Sequence, residues 1–322
     1  MRAFSRPKLA AALAAASLAL VACGGTSADD GKMSGEDGTG AADKLTVFAT
    51  TGYLADAVHN IAPDAEVITM VGPGGDPHTY QPSTKDIETM QKADLVAWNG
   101  LHLEAQMLDQ LQSLGDKQIA VGEMLPKENL LDWPEEDEHG NPLHDPHIWN
   151  SPDNWSLVVG YLGDKLAEID TKNAETYKKN AKDYQRQIAD MKSAAEAKLS
   201  TIPAPRLLIT GHDAFNYLGK TFNLEIRATD FVSSEAALSP QDLSNLAKEI
   251  AEKKVPVIFQ DNLANPQAIT SLKEAVQANN WKVEVSDKEL FADSLGAEAG
   301  VDTYLGVFNH NVEAITTALG GK

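Results

Sequence analysis

The chain has a single cysteine in 322 residues, so no disulfide can form within it. Basic residues are scarce as well: 27 Lys and Arg stand against 47 Asp and Glu, a formal net charge of −20. That balance argues against nucleic acid and anionic membrane surfaces as partners and is compatible with attraction of cations. A long hydrophobic run is also missing, because the best candidate, Leu9 to Ala22, is alanine-rich and too short for a comfortable membrane span. No HExxH or comparable zinc-hydrolase signature occurs. What remains is ample material for a core, and the length suggests two lobes or one large α/β domain.

Arg2, Arg6 and Lys8 precede the run that ends at Ala22, so residues 1–22 read as a signal peptide. The following Leu20-Val21-Ala22-Cys23-Gly24 resembles the lipobox of bacterial lipoproteins, in which cleavage precedes the cysteine and its thiol is lipidated. The expectation is an extracytoplasmic protein held through Cys23 by a lipid anchor, on the outer face of the membrane or in a periplasm. The globular part then has no thiolate, and any metal is held by nitrogen and oxygen. Gly24 to Asp43 carries six glycines and no β-branched aliphatic residue, so residues 23–43 read as the lipidated Cys and a flexible tether.

From Lys44 onward strands alternate with helices. Leu45–Thr50, Glu66–Val71, Asp94–Trp98 and Gln118–Val121 read as strands, with helices over Gly52–Ile61, from Ser83 to about Gln91, and over Leu101–Leu114. Such βαβ units predict a mainly parallel sheet whose sites lie in loops at the strands' carboxyl ends. Pro126 to Pro146 is a polar excursion read as a solvated acidic loop, its functional alternative being a weak collector of cations. Helices follow over Asn154–Ile169 and Asn173–Ser200. The second has apolar or aromatic residues at 174, 177, 181, 184, 188, 191, 195 and 199, a single stripe on a helix long enough to cross two lobes. Pro203 and Pro205 stop it, and the βα pattern restarts at Arg206. The predicted fold is α/β: two lobes with mainly parallel sheets, 44–170 and 204–322, joined by one long helix at 171–203.

Two segments share one pattern. Asp76-Pro77-His78-Thr79-Tyr80 and Asp145-Pro146-His147-Ile148-Trp149 each read carboxylate, proline, imidazole, spacer, aromatic. Proline fixes its own φ and pushes the preceding Asp out of the helical region, so each His is presented rigidly from an extended loop. A single such segment is more simply a turn; a pair suggests a metal, with each Asp free to accept from a backbone or ring N–H. His212, in Thr210-Gly211-His212-Asp213, follows the first strand of the second lobe and is the third candidate ligand. Asp293, in Leu290-Phe291-Ala292-Asp293-Ser294-Leu295, is the fourth, with Asp261 as runner-up. His59 and His310 read as surface residues, and His102 as a residue bordering the site.

Taken in order, the lipobox, GGDPHTYQPS at 74–83, WNGLHLE at 98–104, HDPHIW at 144–149, GHDAFNYL at 211–218 and LFADSLG at 290–296 resemble the zinc- and manganese-binding lipoproteins of bacterial ABC importers. The likeness runs from about residue 44 to the C-terminus. It implies two (β/α) lobes bridged by a rigid helix, with Zn²⁺ or Mn²⁺ in the interlobe cleft as transported ligand. It also implies His78, His147, His212 and Asp293 as ligands, an ABC permease in the cytoplasmic membrane as partner, and a monomer without enzymatic activity. His212 resembles the zinc-type and dual zinc/manganese members. The chain departs from the family where Asn150-Ser151-Pro152 follows the second segment, and where a long His-rich loop is reduced to an acidic one with His139 and His144. Small lobe movements about the long helix are expected to make or break coordination. A surface adhesin and a zinc-dependent hydrolase are the alternatives.

Overall fold

The run Thr46–Thr51 forms a strand, β1, buried along nearly its whole length, as a strand in the middle of a parallel sheet must be. A computed structural model describes residues 44–137, 139–230, 238–262 and 266–320; the expected signal peptide, Cys23 and tether lie outside the described residues. β1 leads directly into α1 (Gly52–Ile61), capped by the Thr51 hydroxyl, which accepts from the Leu54 N–H at 3.3 Å. β2 (Glu66–Val71) empties into the loop that carries His78. A capping box between Ser83 and Asp86 then starts α2 (Thr84–Lys92). With β3 (Leu95–Trp98) and β4 (Gln118–Ala120) the sheet is parallel throughout, in the order β2-β1-β3-β4, with Phe48 opposite both Ile68 and Val96.

Two stretches differ from expectation. The helix expected over Leu101–Leu114 is reduced to a 3-10 turn at Ala105–Met107 and a short α3 (Leu108–Gln112). Gly100, Leu101 and His102 all take positive φ, which turns the chain the wrong way for a right-handed helix. The turn is held by a carboxylate, since Glu104 accepts from the N–H groups of Asn99 and Gly100 at 2.8 and 3.1 Å. The acidic excursion folds into an antiparallel hairpin of β5 (Asp132–Glu136) and β6 (Pro142–His144). Asp137 builds its turn, accepting from the backbone N–H groups of His139 and Asn141.

α4 (Pro152–Ile169) and α5 (Ala174–Leu199) form an antiparallel pair, so the long helix is no bare strut. α5 is about 39 Å long, and its stripe from Tyr177 to Leu199 is buried. Gly163 of α4 lets it approach closely: a Cβ there would come within 2.7 Å of the Ala181 Cβ. The second lobe holds β7 (Leu207–Thr210), α6 (Asn216–Phe222), β8 (Glu225–Ala228), α7 (Pro240–Lys253), β9 (Val257–Ile258), α8 (Pro266–Ala278), β10 (Glu284–Val285) and α9 (Tyr304–Leu319). β7 pairs with β8 and β9 with β10, all in parallel, and the Phe259 N–H donates to the Ile209 carbonyl at 2.8 Å to join the pairs. The resulting order, β8-β7-β9-β10, repeats that of the first lobe.

One apolar core runs through α1, α4, α5, α6 and α9 and so spans both lobes. Two smaller cores lie apart from it, one around β7, α7 and α8 and the other around β2, α2 and α3.

Candidate metal centre

The two proline-led segments fold alike because each Asp closes a local turn on its own histidine. The Asp76 carboxylate accepts the His78 N–H at 2.8 Å, and the Asp145 carboxylate accepts the His147 N–H at 2.9 Å. Asp145 goes further, meeting the His147 Nδ1 at 2.7 Å. That contact fixes the tautomer with the proton on Nδ1 and turns Nε2 inward as a free lone pair. Around it the second lobe adds support: Tyr217 donates its O–H to the Asp145 carbonyl at 2.8 Å, and the Asn216 amide donates to the Asp145 and Asp213 carboxylates at 3.1 and 3.0 Å. Burial, with Asp145 nearby, raises the Asp213 pKa.

The structure brings His78, His147, His212 and Asp293 together. His147 Nε2 lies 3.2 Å from the Nε2 atoms of both His78 and His212. Asp293 Oδ2 is 3.0 Å from His212 Nε2 and 3.4 Å from His78 Nε2, and its Oδ1 is 3.4 Å from His147 Nε2. An ion with bonds of about 2.0 Å has tetrahedral edges of about 3.3 Å, which these separations match. Both Asp293 oxygens are sealed from water and face the imidazole nitrogens of the three histidines. A buried carboxylate is costly unless a cation, a metal ion or an imidazolium, answers it. The carboxylate can offer one oxygen for a tetrahedral site or both for five-fold coordination.

All four side chains are buried, His78 being the most accessible at 7%. Burial lowers the His78 pKa, with Asp293 opposing that shift. For His212 burial acts in the same direction but the Asp293 carboxylate prevails, and its pKa is raised to about 9. Asp293 shows the reciprocal effect: burial would raise its pKa, but His212 and His147 hold it well below the usual carboxylate range. Without an ion, the centre is therefore a His212 imidazolium paired with a carboxylate.

The other candidates fall elsewhere. Asp261 stands behind His212, accepting its backbone N–H at 2.7 Å, and is not one of the clustered donors. His102 sits in the left-handed turn after β3 and is also outside the cluster. His59 is exposed. His310, expected on the surface, is half-buried; its ring packs edge-on to Phe291 and its Nε2 lies 2.9 Å from the Glu289 carbonyl.

Sequence reasoning passed over three supporting residues. The Asn99 side chain donates to the Pro146 carbonyl at 2.9 Å and so ties the β3 turn to the His147 segment. Glu104, buried with a raised pKa, holds that turn. Tyr53 donates to the Ala292 carbonyl beside Asp293. The family motif WNGLHLE covers the first two, whereas nothing local marks Tyr53.

The chain resembles known proteins over nearly all of its folded part. The family model described as zinc-uptake complex component A, periplasmic, matches residues 47–318. The zinc-binding protein TroA of Treponema pallidum is 33% identical over 282 residues, 86% of this chain and 89% of that protein. Its solved structure superposes with a TM-score of 0.79 and is covered to 99%. The manganese-binding lipoprotein MntA of Bacillus subtilis is 31% identical over 319 residues, covering 98% of this chain and 99% of that protein. The iron-binding protein YfeA of Yersinia pestis is 29% identical over 282 residues, 87% of this chain and 88% of that protein.

Proposed function

Since the chain belongs to the family of periplasmic zinc-uptake complex components, we propose that it captures one Zn²⁺ or Mn²⁺ ion outside the cytoplasm and delivers it to an ABC permease. The observation that carries this reading is the buried centre itself, with three imidazole nitrogens and a carboxylate converging in a site closed to water. His78 and His147 from the first lobe and His212 and Asp293 from the second are the ligands. The lobes are 44–170 and 204–322, with the connecting helix at 171–203.

Neutral imidazole and carboxylate suit Zn²⁺ at about 2.0–2.2 Å. By the intrinsic order of affinities Mn²⁺ binds the same donors more weakly, so the second Asp293 oxygen and metal availability decide its use. The named relatives are described as zinc-, manganese- and iron-binding, and imidazole with carboxylate is a donor set that several first-row ions accept. Delivery requires two states of different affinity: the docked permease favours a form with the cage broken, and release follows from that difference.

Lipidation at Cys23 supplies the anchor; the relative that aligns over 98% of this chain is itself described as a lipoprotein. Among the described residues no helix is long and apolar enough to cross a membrane. The chain acts as a monomer and carries out no catalysis, because protein side chains fill the coordination positions a reactive water would need. Neither a surface adhesin nor a zinc-dependent hydrolase is favoured, since the family is a transport component.

The test is metal content and competition titration with Zn²⁺ and Mn²⁺ for wild type, His147→Ala and Asp293→Ala. One tightly held ion per chain, lost in both variants, is the expected result. Loss in His147→Ala alone would remove the second lobe from the ligand set.

A further inference from the structure

Asp293 is the ligand that lies farthest along the chain from any regular element, eight residues past β10 and eleven before α9. A carboxylate on such a segment needs other anchors to be held to within a few tenths of an ångström. Within its own lobe the segment is held by Asn311, which brackets Phe291, and by Asn262, which accepts the Ala292 N–H at 2.9 Å; the opposite lobe grips the peptide next to the carboxylate. The Ala292 carbonyl, one peptide before Asp293, accepts two hydrogen bonds: from Trp149 Nε1–H at 2.8 Å and from the Tyr53 O–H at 2.9 Å. Those two donors occupy both lone pairs of the oxygen. On the far side of Asp293, the Ser294 hydroxyl oxygen accepts from the Gly74 N–H at 3.1 Å and from the Asn262 side chain at 2.7 Å.

Resting on the proposed metal-capture function, we propose that Tyr53 and Trp149 are positioning residues for Asp293, forming a latch on the Ala292 carbonyl that sets how fast the bound ion leaves. Three observations support a dedicated device rather than incidental packing. Both donors are buried, at 1% exposure each, so neither has water as an alternative acceptor. Their rings stack at 5.0 Å with an interplanar angle of 18°, which fixes both donor directions together. Trp149 is two residues beyond His147, so the segment that presents a first-lobe imidazole also grips the second-lobe carboxylate's backbone. Tyr304 of α9 closes the arrangement by donating to the Trp149 carbonyl at 3.0 Å.

When Asp293 withdraws, the Tyr53 and Trp149 donors lose their shared acceptor inside an aromatic cluster that also contains Trp155. The latch therefore opposes release without touching the ion. A permease that draws the 291–295 segment away would break the two bonds on Ala292 and the coordination by Asp293 in one movement.

The experiment is chelator-competition stopped flow on Zn²⁺-loaded full-length protein, comparing wild type with Tyr53→Phe and Trp149→Phe. Tyr53→Phe keeps the ring and removes one donor. From the net worth of one hydrogen bond, each variant is expected to release Zn²⁺ about 3- to 10-fold faster, with the association rate unchanged. The Co²⁺-loaded variants should also show altered d–d absorption, since a less constrained carboxylate changes the ligand field. Ile269→Val, in the separate core around α7 and α8, lowers stability without reaching the junction and should leave release and the Co²⁺ spectrum unchanged. Release within twofold of wild type in Tyr53→Phe overturns the latch, as does equal acceleration in Ile269→Val. Should Trp149→Phe fail to fold, Tyr53→Phe decides alone. A wild type that takes up neither Zn²⁺ nor Co²⁺ refutes the proposed function and the latch with it, whereas a wild type that binds beside unaltered variants refutes only the latch.

Discussion

Acidification should weaken metal binding, beginning well above the range in which an ordinary histidine titrates. In the metal-free protein the His212 pKa is raised to about 9 by the Asp293 carboxylate, against burial. Coordination needs the neutral ring, so an ion binding at pH 7.5 must displace a proton that His212 holds almost completely. The sign follows: a raised pKa means the proton competes across the whole range below about 9, and affinity falls tenfold per pH unit from this group alone. Between pH 7.5 and 5 the His212 proton costs about 300-fold in affinity. Burial lowers the His78 pKa below its ordinary 6.5, so its further contribution at pH 5 is at most about 30-fold, and the two together about 10⁴-fold. Competition titration against a chelator of known proton affinity at pH 7.5, 6.5 and 5.5 measures the slope. Calorimetry at pH 7.5 in two buffers of different ionisation enthalpy counts the protons, with about one released per ion expected. An affinity unchanged between pH 7.5 and 6.5, with heats independent of buffer, would refute an imidazolium–carboxylate pair in the empty centre.

Three further outcomes follow from the same geometry. The stability that the His212–Asp293 pair gives the metal-free protein is fully present below the unfolded His pKa and lost as pH rises through about 9; thermal melting in excess chelator should show a lower midpoint at pH 10 than at pH 7. Asp145→Asn removes the charge that faces His147 Nδ1 at 2.7 Å and should weaken Zn²⁺ binding by about 10- to 100-fold; affinity equal to wild type in a competition titration would show that the tautomer is set elsewhere. Gly163→Val places side-chain carbons against Ala181, where a Cβ alone would stand at 2.7 Å, and should cost about 1–3 kcal/mol; denaturant unfolding checks it, and an unchanged midpoint would mean α4 and α5 are not tightly apposed.

Much of this was legible because the decisive signals were local. The β-rich run Leu45–Thr50 and the helical span Gly52–Ile61 fall, to within a residue, where β1 and α1 lie, since one hydroxyl cap separates them. The prolines at 77 and 146 exposed the two histidine segments, and their Asp-closed turns are formed within three residues. Illegible features depend on distant partners. No pattern in Leu101–Leu114 announces that the buried Glu104 carboxylate will gather the preceding amides and force a left-handed turn. The hairpin at 132–144 hides behind acidic residues and two prolines that propensity assigns to loops. Tyr53 and Trp149 reach Ala292 across 239 and 143 residues of chain, a separation at which only the folded topology places donor and acceptor together.

The unbroken apolar core from α1 through α4 and α5 into α9 has a kinetic consequence. Interiors packed at that density are stiff and rearrange in discrete steps, which makes swinging one lobe against the other a slow and costly event. The stretch from 286 to 303, which outside the single bridge at Leu290 belongs to no strand or helix and carries Asp293, is seated in that same core through Leu290, Phe291, Ala292 and Leu295. Withdrawal of Asp293 therefore moves core side chains with it and belongs to the microseconds-to-milliseconds range of collective motion. Loading at scarce metal is then timed by the arrival of ions, and unloading by that repacking.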